Sequence, residues 1–399
     1  MTTAPLDRPD CDAVAAADAL VPALQARVAE TEAARSIPAQ SIVELRAAGL
    51  LKMGQPRYLG GGELPLDESV EAVSRLARGC ASTAWVCGVY NDHAITIGMF
   101  DPRAAEDIWS DNPDALVSAG FTPSGTVERR EGGWQLSGTW SWSSGCDHAD
   151  WLMVVAMLPE SDGDGVDASF CLVPRENVRI DDNWRVMGLA GTGSKNLVID
   201  DAFVPDHRTY SMGATSNGSA ERLREKRPPL FCLPRTAAVP FMLSAPALGV
   251  AESLLALHIE NLGARDGRGT RNAPGARISG LATMQMHVAE AAAEIDSARL
   301  LMLRDCREAM AAMHEGRAMS MAERARARRD QAYMVMLCRR AVDRLFTAAG
   351  GGGIFLDNEM QRKFRDIHAI SGHIALNWDV AGTTFGRVAF GLDPATPLI

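Results

Sequence analysis

Residues 132–150 read GGWQLSGTWSWSSGCDHAD and concentrate the side chains best suited to holding a flat molecule with polar edges. Trp134, Leu136, Trp140 and Trp142 alternate with Ser137, Ser141 and Ser143, so a β-hairpin here has one aromatic face and one lined by hydroxyls. Such faces can cradle a planar cofactor, and the same alternation also fits a sandwich core with incidental hydroxyls. Two further places interrupt apolar sequence with groups that can move protons. Asn91, Asp92 and His93 form the first; Arg365 and His368, three apart and on one helix face, form the second. His373 lies five residues beyond His368 and points about 140° away, so those two cannot act as an adjacent pair. An imidazole with an unperturbed pKa of about 6.5 suits proton transfer near neutral pH. His93 is its partner across a cleft, although each histidine also fits a hydrogen-bonded place in a core. Phe121, Phe241, Met242 and the loop around Phe231 are the expected pocket lining.

Those groups must be positioned by a large chain. At 399 residues it exceeds the usual single domain, so two or three packed units are expected. Lysine and arginine number 40 against 50 aspartates and glutamates, a net charge of −10 that argues against nucleic acid or an anionic membrane and favours small molecules. The 8 cysteines form no CxxC pair and read as reduced, mostly buried thiols. No HExxH or HxxxH spacing occurs, so no metal is expected. The glycine-rich WRVMGLAGTGSKNLVIDDAFVP (184–205) lacks the spacing of a phosphate loop, and is expected to be a tight turn with Lys195 at the surface. The start, MTTAPLDRPDCD, lacks a cationic stretch followed by an apolar one, and no uninterrupted apolar run approaches about 18 residues. A cytoplasmic location is the expectation.

Periodicity divides the chain into three. Residues 1–115 read as helical, with Ser36 capping a helix that starts near Pro38 and Gly49 stopping it. Residues 116–225 switch to short alternating strands separated by Gly, Asp and Pro, with WLMVVAML (151–158) a buried strand and SNGSAERLREKRPP (216–229) a polar, solvated connector. Residues 226–399 return to helix. Leu281, Met284, Val288, Ala291, Ile295, Ala298 and Met302 form one seam; Tyr333, Leu337, Ala341, Leu345 and Ala348 form another, stopped at Gly350–Gly353. With helices over 246–262 and from about Asn358, this makes a four-helix bundle and an α+β, mainly helical fold.

Helical domain, β-barrel or sandwich and four-helix bundle, with SGxWxWxSG and DHAD, then GLAGTGSKNLVIDDAFVP, then FRDIHA, resembles the acyl-CoA dehydrogenase fold. More narrowly it resembles the reduced-flavin-dependent monooxygenases on that fold, the oxygenase components of two-component systems. The dehydrogenases carry a glutamate base about nine residues after the Arg-Asp pair of the last helix; here Arg365 and Asp366 lead to His373 and Ile374. Glu252 and Glu260 remain open as replacements. The resemblance implies FADH2 or FMNH2 from a separate NAD(P)H-dependent flavin reductase, O2, and hydroxylation of a phenol, indole or polycyclic through a flavin C4a-hydroperoxide. It places Trp142, Ser143 and Ser144 at the isoalloxazine, Ser143 near its nitrogen 5, and Ser118, Ala119 and Phe121 beside its pyrimidine edge. Arg265 takes the flavin phosphate, with Arg268 and Arg271 as alternatives, and Thr347 and Ala348 approach from the bundle, from a second subunit of a homotetramer. His368 matches a histidine at the flavin. Ser143, His93 and His368 are thus the expected catalytic residues, and Asn91, His93, Phe121, Phe241 and His368 the expected substrate contacts. The alternatives are an acyl-CoA dehydrogenase-type flavoenzyme and a non-catalytic assembly protein of this fold.

Overall fold

A computed structural model describes residues 12–159, 165–264, 277–396 and 398–399. Six helices come first: α1 (Ala13–Ala26), α2 (Val28–Ala34), α3 (Ala39–Ala47), α4 (Leu66–Gly79), α5 (Ala81–Ile97) and α6 (Pro102–Trp109). Pro38, not Ser36, stands at the start of α3 and no side chain caps it, while Gly49 follows its end with φ 74° as expected. Every residue of α5 is buried, because it runs through the centre of the molecule and has no solvent face.

Eight strands follow: β1 (Val117–Gly120), β2 (Thr126–Arg130), β3 (Gly133–Ser143), β4 (Trp151–Pro159), β5 (Val166–Pro174), β6 (Arg179–Asp181), β7 (Lys195–Pro205) and β8 (Thr209–Ser211). They form two sheets, ordered β1-β4-β5-β8 and β2-β3-β7-β6. The serine-tryptophan stretch is therefore not a hairpin of its own. β3 makes its hairpin with β2, and after the turn at Cys146–His148 the chain enters β4 in the other sheet. Leu136, Trp140, Leu152, Val154, Val173, Leu197 and Ile199 fill the space between the sheets. The outer face of the β4 sheet packs Met153, Val155 and Phe170 against Ile97, Phe100 and Trp109 of the helical part. Both faces of β4 are covered, which is why WLMVVAML reads as a continuous apolar run.

The remaining helices are α7 (Met212–Asn217), α8 (Ser219–Arg224), α9 (Pro229–Cys232), α10 (Arg235–Ala238), α11 (Phe241–Ala264), α12 (Ala282–His314), α13 (Met321–Ala349), α14 (Glu359–Ser371) and α15 (Trp378–Ala389). The polar connector expected over 216–229 is instead helical: Arg222 is buried and donates to the carbonyls of Ala214, Thr215 and Leu233. A guanidinium with its carbonyls in place can be buried where a charge count alone predicts solvation. The seams of α12 and α13 bury Ala291, Ile295, Ala298, Met302, Leu337, Ala341 and Leu345 against α11 and α14. The stretch Arg235–Leu262 is apolar and long enough to cross a membrane, yet 83% of its apolar window is buried in the protein, as befits the core helix of the bundle.

Candidate active site

The site begins at a fault in β3. Trp140 pairs with Leu197 and Ser143 with Lys195, so Ser141 and Trp142 together oppose Asn196 alone, a β-bulge. Trp142 consequently sits in the left-handed region with φ 67° and holds its indole 66% exposed. Beyond it the chain turns inward. Ser118 Oγ lies 2.6 Å from Ser143 Oγ and donates to the Ser144 carbonyl at 2.7 Å. The one proton of Ser118 is thereby used, so Ser143 donates to Ser118 and keeps its own oxygen lone pairs free for an incoming N–H. Ser144 Oγ meets Ser194 Oγ at 2.7 Å, Ser194 meets Thr192 at 2.7 Å, and Thr192 donates to the Leu189 carbonyl at 2.8 Å. Lys195, expected at the surface, is buried beside this array and donates to Asp147 at 2.8 and 2.9 Å.

One stripe of α5 supplies the facing wall. Trp85, Val89, Asp92, His93 and Thr96 recur at helical spacing. Trp85 Nε1 donates to Ser144 Oγ at 3.1 Å, and its ring meets the edge of His373 with centroids 5.3 Å apart. His93 Nδ1 is 2.7 Å from the Val117 carbonyl, which fixes the proton on Nδ1 and leaves Nε2 a lone pair. Its ring stands edge-on to Phe121 at 5.5 Å. Asp92 and Arg235 form a buried ion pair at 2.6 Å, and Arg235 also lies 4.9 Å over the Phe121 ring. His373 accepts the Ala375 N–H at 3.2 Å on Nδ1, so its proton resides on Nε2. Burial lowers the pKa of both imidazoles; His373 falls to about 4, with Asp92 opposing the shift, and it is neutral at ordinary pH.

The fold is shared with proteins of known activity. Acyl-CoA dehydrogenase N-terminal, middle and C-terminal domains match residues 15–100, 112–202 and 241–378. The chain is 40% identical to the FADH(2)-dependent resorcinol hydroxylase, oxygenase component, of Rhizobium sp. strain MTP-10005, over 92% of this chain and 90% of that one. It belongs to the flavin-dependent monooxygenases. Among solved structures, the HsaA monooxygenase from M. tuberculosis is 34% identical with a TM-score of 0.91, covering 98% of this chain and 100% of that one. XiaF from Streptomyces sp., solved with FADH2, is 29% identical with a TM-score of 0.90, each chain being covered to 96%. As an oxygenase component of a two-component system, this monooxygenase takes reduced flavin that a separate reductase makes.

Within the monooxygenase, the expected site residues fall into two groups. Ser118, Ser143 and Ser144 are joined by hydrogen bonds, with Trp142 next to Ser143 on the bulge, and His93 reaches the Val117 carbonyl beside Ser118 while meeting the Phe121 ring; Ala119 instead packs in the apolar cluster with Met153, Val155 and Phe170. Others point elsewhere. His368 places Nδ1 2.8 Å from the Phe364 carbonyl, lies tilted at 43° against the Phe364 ring and sets Nε2 3.3 Å from Asp343 of α13. Thr347 and Ala348 line a groove of about 540 Å³ with His287, Arg340, Asp343 and Arg344, on the α12–α13 side of the bundle. Asn91 is not free to meet a substrate, since its amide donates to the Leu50 and Cys87 carbonyls and accepts the Gly54 N–H. Phe241 and Met242 are buried in the helical core. Arg265, Arg268 and Arg271 lie outside the described residues. Trp85 and Arg235 were missed by the sequence reading, which named Asp92 and His373 without giving either a place in the site. Trp85 and Asp92 could have been found from their spacing with His93 along α5; Arg235 could not, because nothing local links it to Asp92.

Of the two glutamates that could restore a dehydrogenase, one is ion-paired and the other faces solvent. Glu252 is held by Arg78 at 3.0 Å and by Arg299, tying α11 to α4 and α12. Glu260 is exposed on α11.

Proposed function

We propose that this monooxygenase hydroxylates an aromatic substrate with an acidic O–H or N–H, a phenol, an indole or a polycyclic, using FADH2 or FMNH2 and O2. The observation that carries this reading is the pairing, around Trp85 and the Asp92 ion pair, of two neutral imidazoles with opposite proton placement and, among the described residues, no unpaired carboxylate in contact with them. His93 Nε2 accepts the substrate proton, and His373 Nε2–H donates to the oxyanion that forms, as a neutral imidazole can. His368, the base expected from sequence, acts in this reading only through its helix. The relatives' names agree in chemistry: a p-hydroxyphenylacetate 3-hydroxylase, oxygenase component, of Acinetobacter baumannii at 32% identity, and an indole-3-acetate monooxygenase of Pseudomonas putida at 26%.

The residues present fit a flavin. Trp142 holds an aromatic face outward on a strained backbone, beside a buried serine whose oxygen can accept an N–H. Trp142, Ser143, Ser144, Ser118, Ala119 and Phe121 would hold the ring system, and Ser143 would accept from nitrogen 5 of the reduced form. Bound there, the reduced flavin supplies oxygen activation. Thr347 and Ala348, with Arg340 and Arg344, would hold the anionic tail of a flavin seated in a neighbouring copy. Exposed Leu356, Ile374 and Phe390 give the bundle apolar contacts for a homotetramer. We place the protein in the cytoplasm with an NAD(P)H-dependent reductase that supplies flavin by diffusion, and give it no nucleic-acid or membrane partner.

The test is to supply the purified chain with NADH alone, then with photoreduced flavin and air. Product should form only in the second case, with negligible NADH consumed in the first. Steady NADH oxidation by the pure chain, or no oxygenation of any phenol or indole with reduced flavin present, contradicts the reading.

A further inference from the structure

The wall of the site opposite α5 contains a cation without an anion. Arg328, on α13, is 8% exposed, and its guanidinium donates to the Ala375 carbonyl, two residues beyond His373. No carboxylate lies against it among the described residues, and its other N–H groups have no partner there. Arg235, the other guanidinium that reaches His373, is already matched by Asp92. Gln331, one turn along α13 from Arg328, donates to the Thr236 and Ala237 carbonyls of α10. α13 therefore presents Arg328 to the same corner that α10 closes with Arg235. A buried charge normally has a partner, since leaving one unpaired in a low-dielectric interior is strongly unfavourable. Burial without an anion draws the Arg328 guanidinium down to about 10.

We propose that Arg328 receives an anionic group of the substrate, so that the preferred substrate is a phenol or indole bearing a carboxylate on a side chain. The planar guanidinium suits a carboxylate, which accepts two parallel N–H groups. Fixed there, the anionic arm would leave the aromatic ring to the His93, Phe121 and His373 side of the site. The inference rests on the function proposed above.

The experiment compares 4-hydroxyphenylacetate with 4-hydroxyphenylacetamide, alike in shape and different in charge, in the purified oxygenase supplied with reduced flavin. Wild type should favour the carboxylate in kcat/KM by about tenfold or more, and Arg328→Gln should bring the ratio of the two KM values close to one, a change of about 10- to 100-fold for a charge-assisted pair. Arg328→Lys should keep part of the preference. An equal effect of Arg328→Gln on both compounds would overturn the proposal in favour of a role in holding the Ala375 carbonyl. So would a weakened reduced-flavin Kd with an unchanged KM ratio, which assigns the anion to flavin, or a changed oligomeric mass, which assigns it to a neighbouring copy. If wild type oxygenates neither compound yet oxygenates a phenol or indole without a carboxylate, this proposal fails and the proposed function stands; if it oxygenates no phenol or indole at all, the proposed function fails, and calorimetric binding of the two compounds still reads the charge preference on its own.

Discussion

At the scale of residues, the site is built from side chains whose alternatives are already used up. Ser143 has a free lone pair because Ser118 spends its proton on a carbonyl, and His93 and His373 differ in tautomer because one faces a C=O and the other an N–H. Trp142 is the exception, since it holds a left-handed backbone and gains little burial. Such strain costs about 1 to 3 kcal/mol and persists where function requires it. Trp142→Gly should therefore unfold at the same or a higher temperature than wild type, while binding reduced flavin about fivefold more weakly for loss of an aromatic contact worth about 1 kcal/mol. Calorimetric unfolding and anaerobic flavin titration measure the two effects; a large fall in Tm would show that Trp142 is structural.

At the scale of elements, α5 is the hub, and its tie to α14 runs through the segment before β7. Gly188 passes so close to α14 that a Cβ there would stand 2.2 Å from the Arg365 carbonyl. Next to it, Leu189 donates its N–H to Asp366 at 2.7 Å, and its carbonyl receives Thr192. Gly188→Ala should push this segment off α14, lower Tm and disturb the Thr192–Ser194–Ser144 array, with a stability cost of about 1 to 3 kcal/mol. A thermal melt and the reduced-flavin Kd check it, and unchanged values of both would mean the approach is not needed. The helical seams, the strands and the serine stretch were legible because they obey short periods. The bulge at Trp142 was not, because one extra residue shifts every later side chain to the other face and leaves no mark in an alternating pattern. His368 drew attention by its place beside Arg365 and Asp366, whereas His373 reaches the site only because α14 ends at Ser371 and the chain turns back towards Trp85.

At the scale of the whole molecule, stability depends on a buried carboxyl at the junction of the β-layer with the bundle. Asp366 is pushed up to about 6 by burial, with its Leu189 hydrogen bond, Arg365 and Lys363 opposing and Glu32 adding to the shift. Its folded value exceeds the unfolded value of about 3.9, so its contribution is complete below that pH and is lost as pH rises through about 6. Asp366→Asn keeps an oxygen to accept the Leu189 N–H and removes the buried charge. It should raise Tm at pH 8 and give little gain at pH 4; a gain independent of pH would remove Asp366 from this role.

In the proposed function, proton transfer belongs to His93 and His373 and not to His368. Single-turnover reactions with one equivalent of reduced flavin, air and a phenolic substrate test it through product formed per flavin oxidised. His93→Ala and His373→Ala should still bind and reoxidise the flavin but lose about 10² to 10⁴ in hydroxylation rate, with hydrogen peroxide released in place of product, and His368→Ala should stay close to wild type. Loss of hydroxylation in His368→Ala with full product in His93→Ala and His373→Ala would contradict the account.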